Sequence, residues 1–197
     1  MGQRIGVKRL NALNKQGQSV SGDLGAGVSG SVGHRSIMKL GREIITEIYV
    51  DLGSSKGALY DTSKAGEIIG HSSSADGEQT AGKANLTQIT TAENGVVTLV
   101  EMTCVETPTG GATDMDLAYA STAQVYSGSS GLTQIIDAGA QVIGAEGAAV
   151  YDNNVLADKY LYLTTPDDAT EDGAAAAEYT GGKLLIRLYG HAVPDDV

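Results

Sequence analysis

Glu43-Ile44-Ile45-Thr46-Glu47-Ile48-Tyr49-Val50-Asp51-Leu52 is the stretch that decides the fold. Ile44, Ile48, Val50 and Leu52 fall on one side of a period of two, and Glu47 and Asp51 fall on the other, which is the signature of a half-buried β-strand. Working outward, the same signature returns at Lys183-Leu184-Leu185-Ile186-Arg187-Leu188-Tyr189, with Leu184, Ile186 and Leu188 inward. Between them, Val96 to Thr107 forms a long run in which Val96, Val100, Met102 and Cys104 share a face. It follows Asn94-Gly95, a strong hairpin signal, so Leu86 to Thr91 is expected as its incoming partner. After Pro108 and Gly110-Gly111, the residues Met115, Leu117 and Tyr119 alternate again. Further strands are expected at Gln141–Ile143, Ala148–Tyr151 and Tyr160–Thr165. Only Leu132–Ala138 and Ala174–Tyr179 have helix-compatible spacing.

Strands recurring at this short spacing predict an all-β fold, a β-sandwich and within that class a jelly-roll-like one. The 197 residues suit one domain with an appendage. The core has to be unusual, because the chain has no Trp and no Phe and nine Tyr are its only aromatics. Tyr buries area but needs a partner for its hydroxyl. With 27 glycines the chain also loses much backbone entropy on folding, and burial between copies would offset that.

The formal charge of −11 is unevenly spread. Residues 1–42 carry seven basic side chains (Arg4, Lys8, Arg9, Lys15, Arg35, Lys39, Arg42) and one acid, Asp23, a balance of +6. The remainder carries six basic and 23 acidic side chains, a balance of −17. Gly, Ser, Gln and Val dominate from Asn14 to Ser36 without apolar periodicity. We therefore expect an extended basic arm over residues 1–40, with its basic side chains and Arg42 as partner-binding residues, and an acidic β-sandwich body over residues 41–197. An acidic body argues against nucleic acid as a partner. Cys104 is the single cysteine, so no internal disulfide forms and a reducing cytosol suits the chain. No long apolar run or secretory leader is visible, so neither membrane insertion nor secretion is expected.

Three stretches imitate chemical motifs. Gly25-Ala26-Gly27-Val28-Ser29-Gly30 matches the dinucleotide fingerprint, but no buried strand precedes it and no helix follows to receive a pyrophosphate. Gly77-Glu78-Gln79-Thr80-Ala81-Gly82-Lys83-Ala84 nearly spells a phosphate-binding loop, with Ala84 where a hydroxyl should reach Mg²⁺. Asp168, Thr170, Asp172 and Gly173 imitate an EF-hand, yet its twelfth position is Tyr179. Asp167, Asp168, Glu171 and Asp172 are the candidates for weak Ca²⁺ binding, beside the simpler reading of a solvated acidic loop. His34, His71 and His191 lie far apart without metal-ligand spacing, and no Gly-x-Ser-x-Gly elbow occurs. The expectation is a protein without catalytic residues or cofactor.

The basic glycine-rich arm, the acidic β body without Trp or Phe, and the closing strand Gly182-Lys183-Leu184-Leu185-Ile186-Arg187-Leu188-Tyr189-Gly190 together resemble small virion proteins of tailed bacteriophages, particularly marine ones. Among these the chain is most similar to capsid decoration, or cement, proteins. The resemblance implies synthesis in the host cytoplasm, residence on the virion surface, and binding to the major capsid protein or other virion proteins, often as a homotrimer at quasi-threefold positions. The arm would run along the shell by strand addition or charge pairing, and the acidic body would face solvent. A tail, neck or head-fibre subunit is the nearest alternative. A secreted carbohydrate- or Ca²⁺-binding module is the alternative from another class.

Overall fold

The alternating stretch at 43–52 becomes a strand whose even-numbered residues Ile44, Thr46, Ile48 and Val50 are all buried, with Leu52 buried just beyond it. The structure, a computed structural model, describes residues 19–22, 33–53, 59, 66–70, 85–124, 131–165 and 177–193. In chain order the strands are β1 (Ser19–Gly22), β2 (Gly33–Leu40), β3 (Glu43–Asp51), β4 (Thr87–Gln88), β5 (Val96–Thr109), β6 (Asp116–Ala120), β7 (Thr133–Ile136), β8 (Glu146–Val150), β9 (Tyr160–Thr164) and β10 (Gly181–His191).

They form two antiparallel sheets, a larger one in the order β1-β2-β3-β10-β5-β8 and a smaller one in the order β4-β9-β6-β7. Setting β1 and β2 aside, β3 pairs with β10, β4 with β9, β5 with β8 and β6 with β7. This is one long antiparallel hairpin, first strand with last, wound so that successive pairs fall alternately in the two sheets. The β-sandwich is therefore a jelly roll.

Between the sheets, Ile48, Val50, Val100, Met102, Cys104, Leu184, Ile186 and Leu188 from the larger sheet meet Met115, Leu117, Ile136, Leu161 and Leu163. Two buried tyrosines, Tyr179 within this interior and Tyr162 outside it, have their hydroxyls satisfied, as buried phenols require. Tyr179 donates to the Ala112 carbonyl at 3.0 Å, and Tyr162 accepts from the Gln124 amide at 2.8 Å. Tyr162 lies on the outer side of the smaller sheet, where Ile68 and Ala120 bury it and Leu132 and Tyr160 pack alongside. That side of the smaller sheet is thus partly covered.

Several expected elements differ. Asn94-Gly95 makes no hairpin: Thr91–Asn94 is a single helical turn, and β4 and β5 belong to different sheets. The cause is the Asn94 side chain, which is buried rather than turned to solvent. Its Oδ1 accepts from the Thr90 amide at 2.8 Å and its Nδ2 donates to Thr46 Oγ1 at 2.8 Å. Gly95 then leaves at φ 68°, where a Cβ would lie 2.4 Å from the His191 carbonyl oxygen. A register shift in the β10–β5 ladder at Tyr189/Gly190 brings Val97 rather than Val96 into the core. Leu132–Ala138 is not helical, because Thr133–Ile136 is β7, paired with β6. Gln141–Ile143 forms no strand; Gln141 is buried with its amide donating to the Gly139 carbonyl, and Val142 and Ile143 are exposed. Within Ala174–Tyr179, the described residues 177–179 are not helical.

The expected arm boundary at residue 40 falls inside the larger sheet. Gly33–Leu40 pairs along its whole length with β3, and β1 pairs in turn with β2. Residues 33–40 are thus part of the sandwich.

Candidate interaction surface

The outer face of the larger sheet is built by the odd-numbered residues of β3 and β10, because their even-numbered neighbours point into the core. The pairing register sorts these side chains into rows across the strands. One row runs Met38, Ile45, Tyr189, Leu99, Val150 over β2, β3, β10, β5 and β8. Every member is apolar or aromatic. Its centre is half-buried by neighbouring side chains, whereas Met38 and Val150 at its ends are 37% and 76% exposed.

The next row reads Ser36, Glu47, Arg187, Glu101, Ala148. Here the Arg187 Nε donates to Glu47 Oε1 at 2.9 Å, and the Tyr189 hydroxyl reaches across from the apolar row to Glu101 Oε2 at 2.8 Å. The ion pair with Glu47 pushes the Arg187 pKa up, and partial burial, then the Glu101 carboxylate, push the Tyr189 phenol up. Both side chains hold one charge state near neutral pH, so this row is a fixed polar pattern.

A third row, His34, Tyr49, Leu185, Thr103, Glu146, sets the His34 ring 5.5 Å from that of Tyr49. Beyond it Lys183 pairs with Glu106, which holds the glutamate pKa below its usual value and raises that of the lysine. Where β8 presents only Gly147 and Ala148, an open depression of about 170 Å³ remains, with walls that include Glu101, Thr103, Glu146 and Arg187.

Of the seven basic side chains expected to bind a partner, Arg4, Lys8, Arg9 and Lys15 lie outside the described residues. Arg35 and Lys39 lie on β2 and bond within the body. The Arg35 guanidinium donates to Thr87 Oγ1 at 2.6 Å and pairs with Glu93 at 3.1 Å, and Lys39 Nζ donates to the Ala92 carbonyl at 3.3 Å. Both fasten the helical turn at Thr91–Asn94 beneath β2. Arg42 is exposed in the β2–β3 turn. The candidate Ca²⁺ ligands Asp167, Asp168, Glu171 and Asp172 also lie outside the described residues, as do both glycine-rich motifs and His71.

Cys104 is buried in β5, and burial pushes its thiol pKa up, away from the reactive thiolate. Among the described residues no cluster of three or more His, Cys, Asp or Glu is placed to hold a metal ion, and no helix is long and apolar enough to cross a membrane. The apolar row is what the basic-arm reading missed. Its signal is apolar residues on both faces of one strand, in Ile44-Ile45, Leu99-Val100 and Leu188-Tyr189.

Comparisons of the chain with protein-family models, curated proteins and solved structures find no match.

Proposed function

We propose that this chain is a non-enzymatic structural subunit of a virus particle, bound to the outside of the capsid shell as a decoration protein. The observation that carries the reading is the apolar row Met38, Ile45, Tyr189, Leu99, Val150, which crosses five strands of the outer face beside the polar row of Ser36, Glu47, Arg187 and Glu101. A protein that worked alone would gain little from such a row. A subunit that seats a sheet face on a neighbour uses it as the apolar centre of a contact with a polar rim. The +6 balance of residues 1–42 against −17 in the rest also supports a partner surface that is acidic near the arm. Partner candidates are the major capsid protein and other virion proteins.

The test is electron cryomicroscopy of particles purified from the source of this sequence. Density for the jelly roll on the icosahedral shell is the expected result. Density confined to the tail or portal vertex assigns the chain instead to a tail, neck or head-fibre subunit, and absence of the chain from purified particles overturns the virion reading.

A further inference from the structure

Strand β8 closes the larger sheet, and among the described residues nothing pairs with its far edge. Its bonds to β5 come from odd-numbered residues. Met102 faces Gly147 and Val100 faces Ala149, with the Cys104 amide donating to the Ala145 carbonyl and the Tyr151 amide to the Thr98 carbonyl at the two ends, both at 2.8 Å. By the alternation of an antiparallel ladder, Glu146, Ala148 and Val150 direct their amide and carbonyl groups outward.

Exposed edges of this kind are usually blunted by Lys, Pro, a short length or a cover. The sequence Glu-Gly-Ala-Ala-Val has none of the first two and runs five residues, against two for β4. An independent feature singles out the same place. The three most exposed large apolar side chains among the described residues are Val150 at 76%, which ends β8, and Ile143 at 73% and Val142 at 56%, in the turn that leads into it. The strand's inner side is sealed: a Cβ on Gly147 would lie 2.4 Å from Ile136 Cγ2, so β7 presses directly on it.

We infer that β8 is a homodimer interface, pairing antiparallel with β8 of a second copy about a twofold axis through Ala148. A second copy brings the same bare edge, with the same three outward-directed residues, and so satisfies it in full. The three outward-directed residues are symmetric about Ala148, so Glu146 of each copy meets Val150 of the other and Ala148 meets Ala148, every outward group finding its partner. Only methyl groups meet at the axis. The two Glu146 carboxylates are held apart by four residues, about 14 Å, beyond the screening distance of roughly 8 Å at physiological salt. The same register carries Val142 and Ile143 toward the turn that holds Val155, itself 42% exposed, of the second copy. The inference does not depend on the capsid reading, and it gives a twofold pair where the resemblance implies a threefold one.

Site-directed cross-linking of the full chain tests it. Across a hydrogen-bonded antiparallel pair the Cα atoms lie about 5.5 Å apart, within disulfide range. Ala148→Cys should therefore give a covalent dimer on mild oxidation. Val150→Cys should not, since its copies lie about 14 Å apart. Native Cys104 is buried and does not compete. In parallel, Ala148→Pro removes an outward amide without touching the β5 ladder, a placement that edge strands tolerate. It should convert a sedimenting dimer to a monomer with unchanged far-ultraviolet circular dichroism. Equal cross-linking at 148 and 150, a wild-type monomer at every concentration, or a stable trimer would each overturn the inference. Should Ala148→Pro fail to fold, the cysteine pair still decides.

Discussion

Asp116 on β6 is 2% exposed, and its carboxylate accepts two hydrogen bonds, from the Ala138 amide at 3.1 Å and from the Gln134 side-chain amide at 2.5 Å. Burial outweighs them. With smaller contributions from Asp137 and Asp114, it raises the Asp116 pKa from 3.8 to about 6. Between those two values the folded chain binds a proton that the unfolded chain has released. The group therefore favours folding fully below the unfolded value, and this contribution is lost as pH rises through the folded value. At 1.36 kcal/mol per unit, a shift of about two units corresponds to about 3 kcal/mol of destabilisation above about pH 7. Asp116→Asn removes the ionisation at constant size. Its Oδ1 keeps the Ala138 bond, and the Gln134 amide turns over to accept from the new Nδ2. Urea unfolding of both proteins from pH 3.5 to 7.5, read by linear extrapolation, isolates the contribution of Asp116, because the carboxylates common to both proteins cancel in the difference. The variant should gain about 3 kcal/mol relative to wild type across that range. A difference that does not vary with pH would refute the reasoning.

Two further outcomes follow from the interior. Asn94→Ala leaves the Thr90 amide and the buried Thr46 hydroxyl without the partners they have now, and should lower unfolding free energy by about 1–3 kcal/mol; an unchanged urea midpoint would show that Asn94 is not the pin of the helical turn. Cys104, buried with a raised pKa, should react with an aromatic disulfide reagent only as the protein opens, so denaturant should accelerate labelling by orders of magnitude, and rapid stoichiometric labelling of the native chain would contradict its place in the core.

The fold was legible where burial is one-sided. In β3 and β10 a single core face fixes every second residue, and the alternation at 43–52 and 183–189 was read residue for residue. It was misread where a local signal met a tertiary demand. Asn94-Gly95 carries hairpin chemistry, yet Thr46, 48 residues away in sequence, takes the Asn94 amide and holds it inside. Val96 and Val97 cannot be ranked by alternation when a bulge changes its phase between Val97 and Leu99. Thr133–Ile136 is too short for period to separate strand from helix, and only pairing with β6 decides it. The basic residues before position 43 looked like one arm because charge is local, whereas their division between β2 and the rest of the segment depends on pairing with β3.

The outer face was the least legible part, since a row across five strands joins residues from 38 to 189 that sequence never places together. Val150 belongs both to this row and to the β8 edge, which ties the two inferences together. Twofold pairing about Ala148 would join the polar rows of two copies end to end, from Glu47 through Arg187 and Glu101 to Ala148 and back in reverse order. The two apolar rows would not meet. Each would end at a Val150 lying beside the other copy's Glu146, so the rows run on opposite sides of the joined polar row, offset by about 14 Å. A partner recognising the pair must then offer two apolar strips related by a twofold axis, whereas a partner recognising one copy needs only one. Ala148→Pro separates these cases: if the partner reads the pair, the variant loses the avidity of two linked contacts, a factor of roughly 10²–10⁴, and if it reads a single face, the affinity stays as it was.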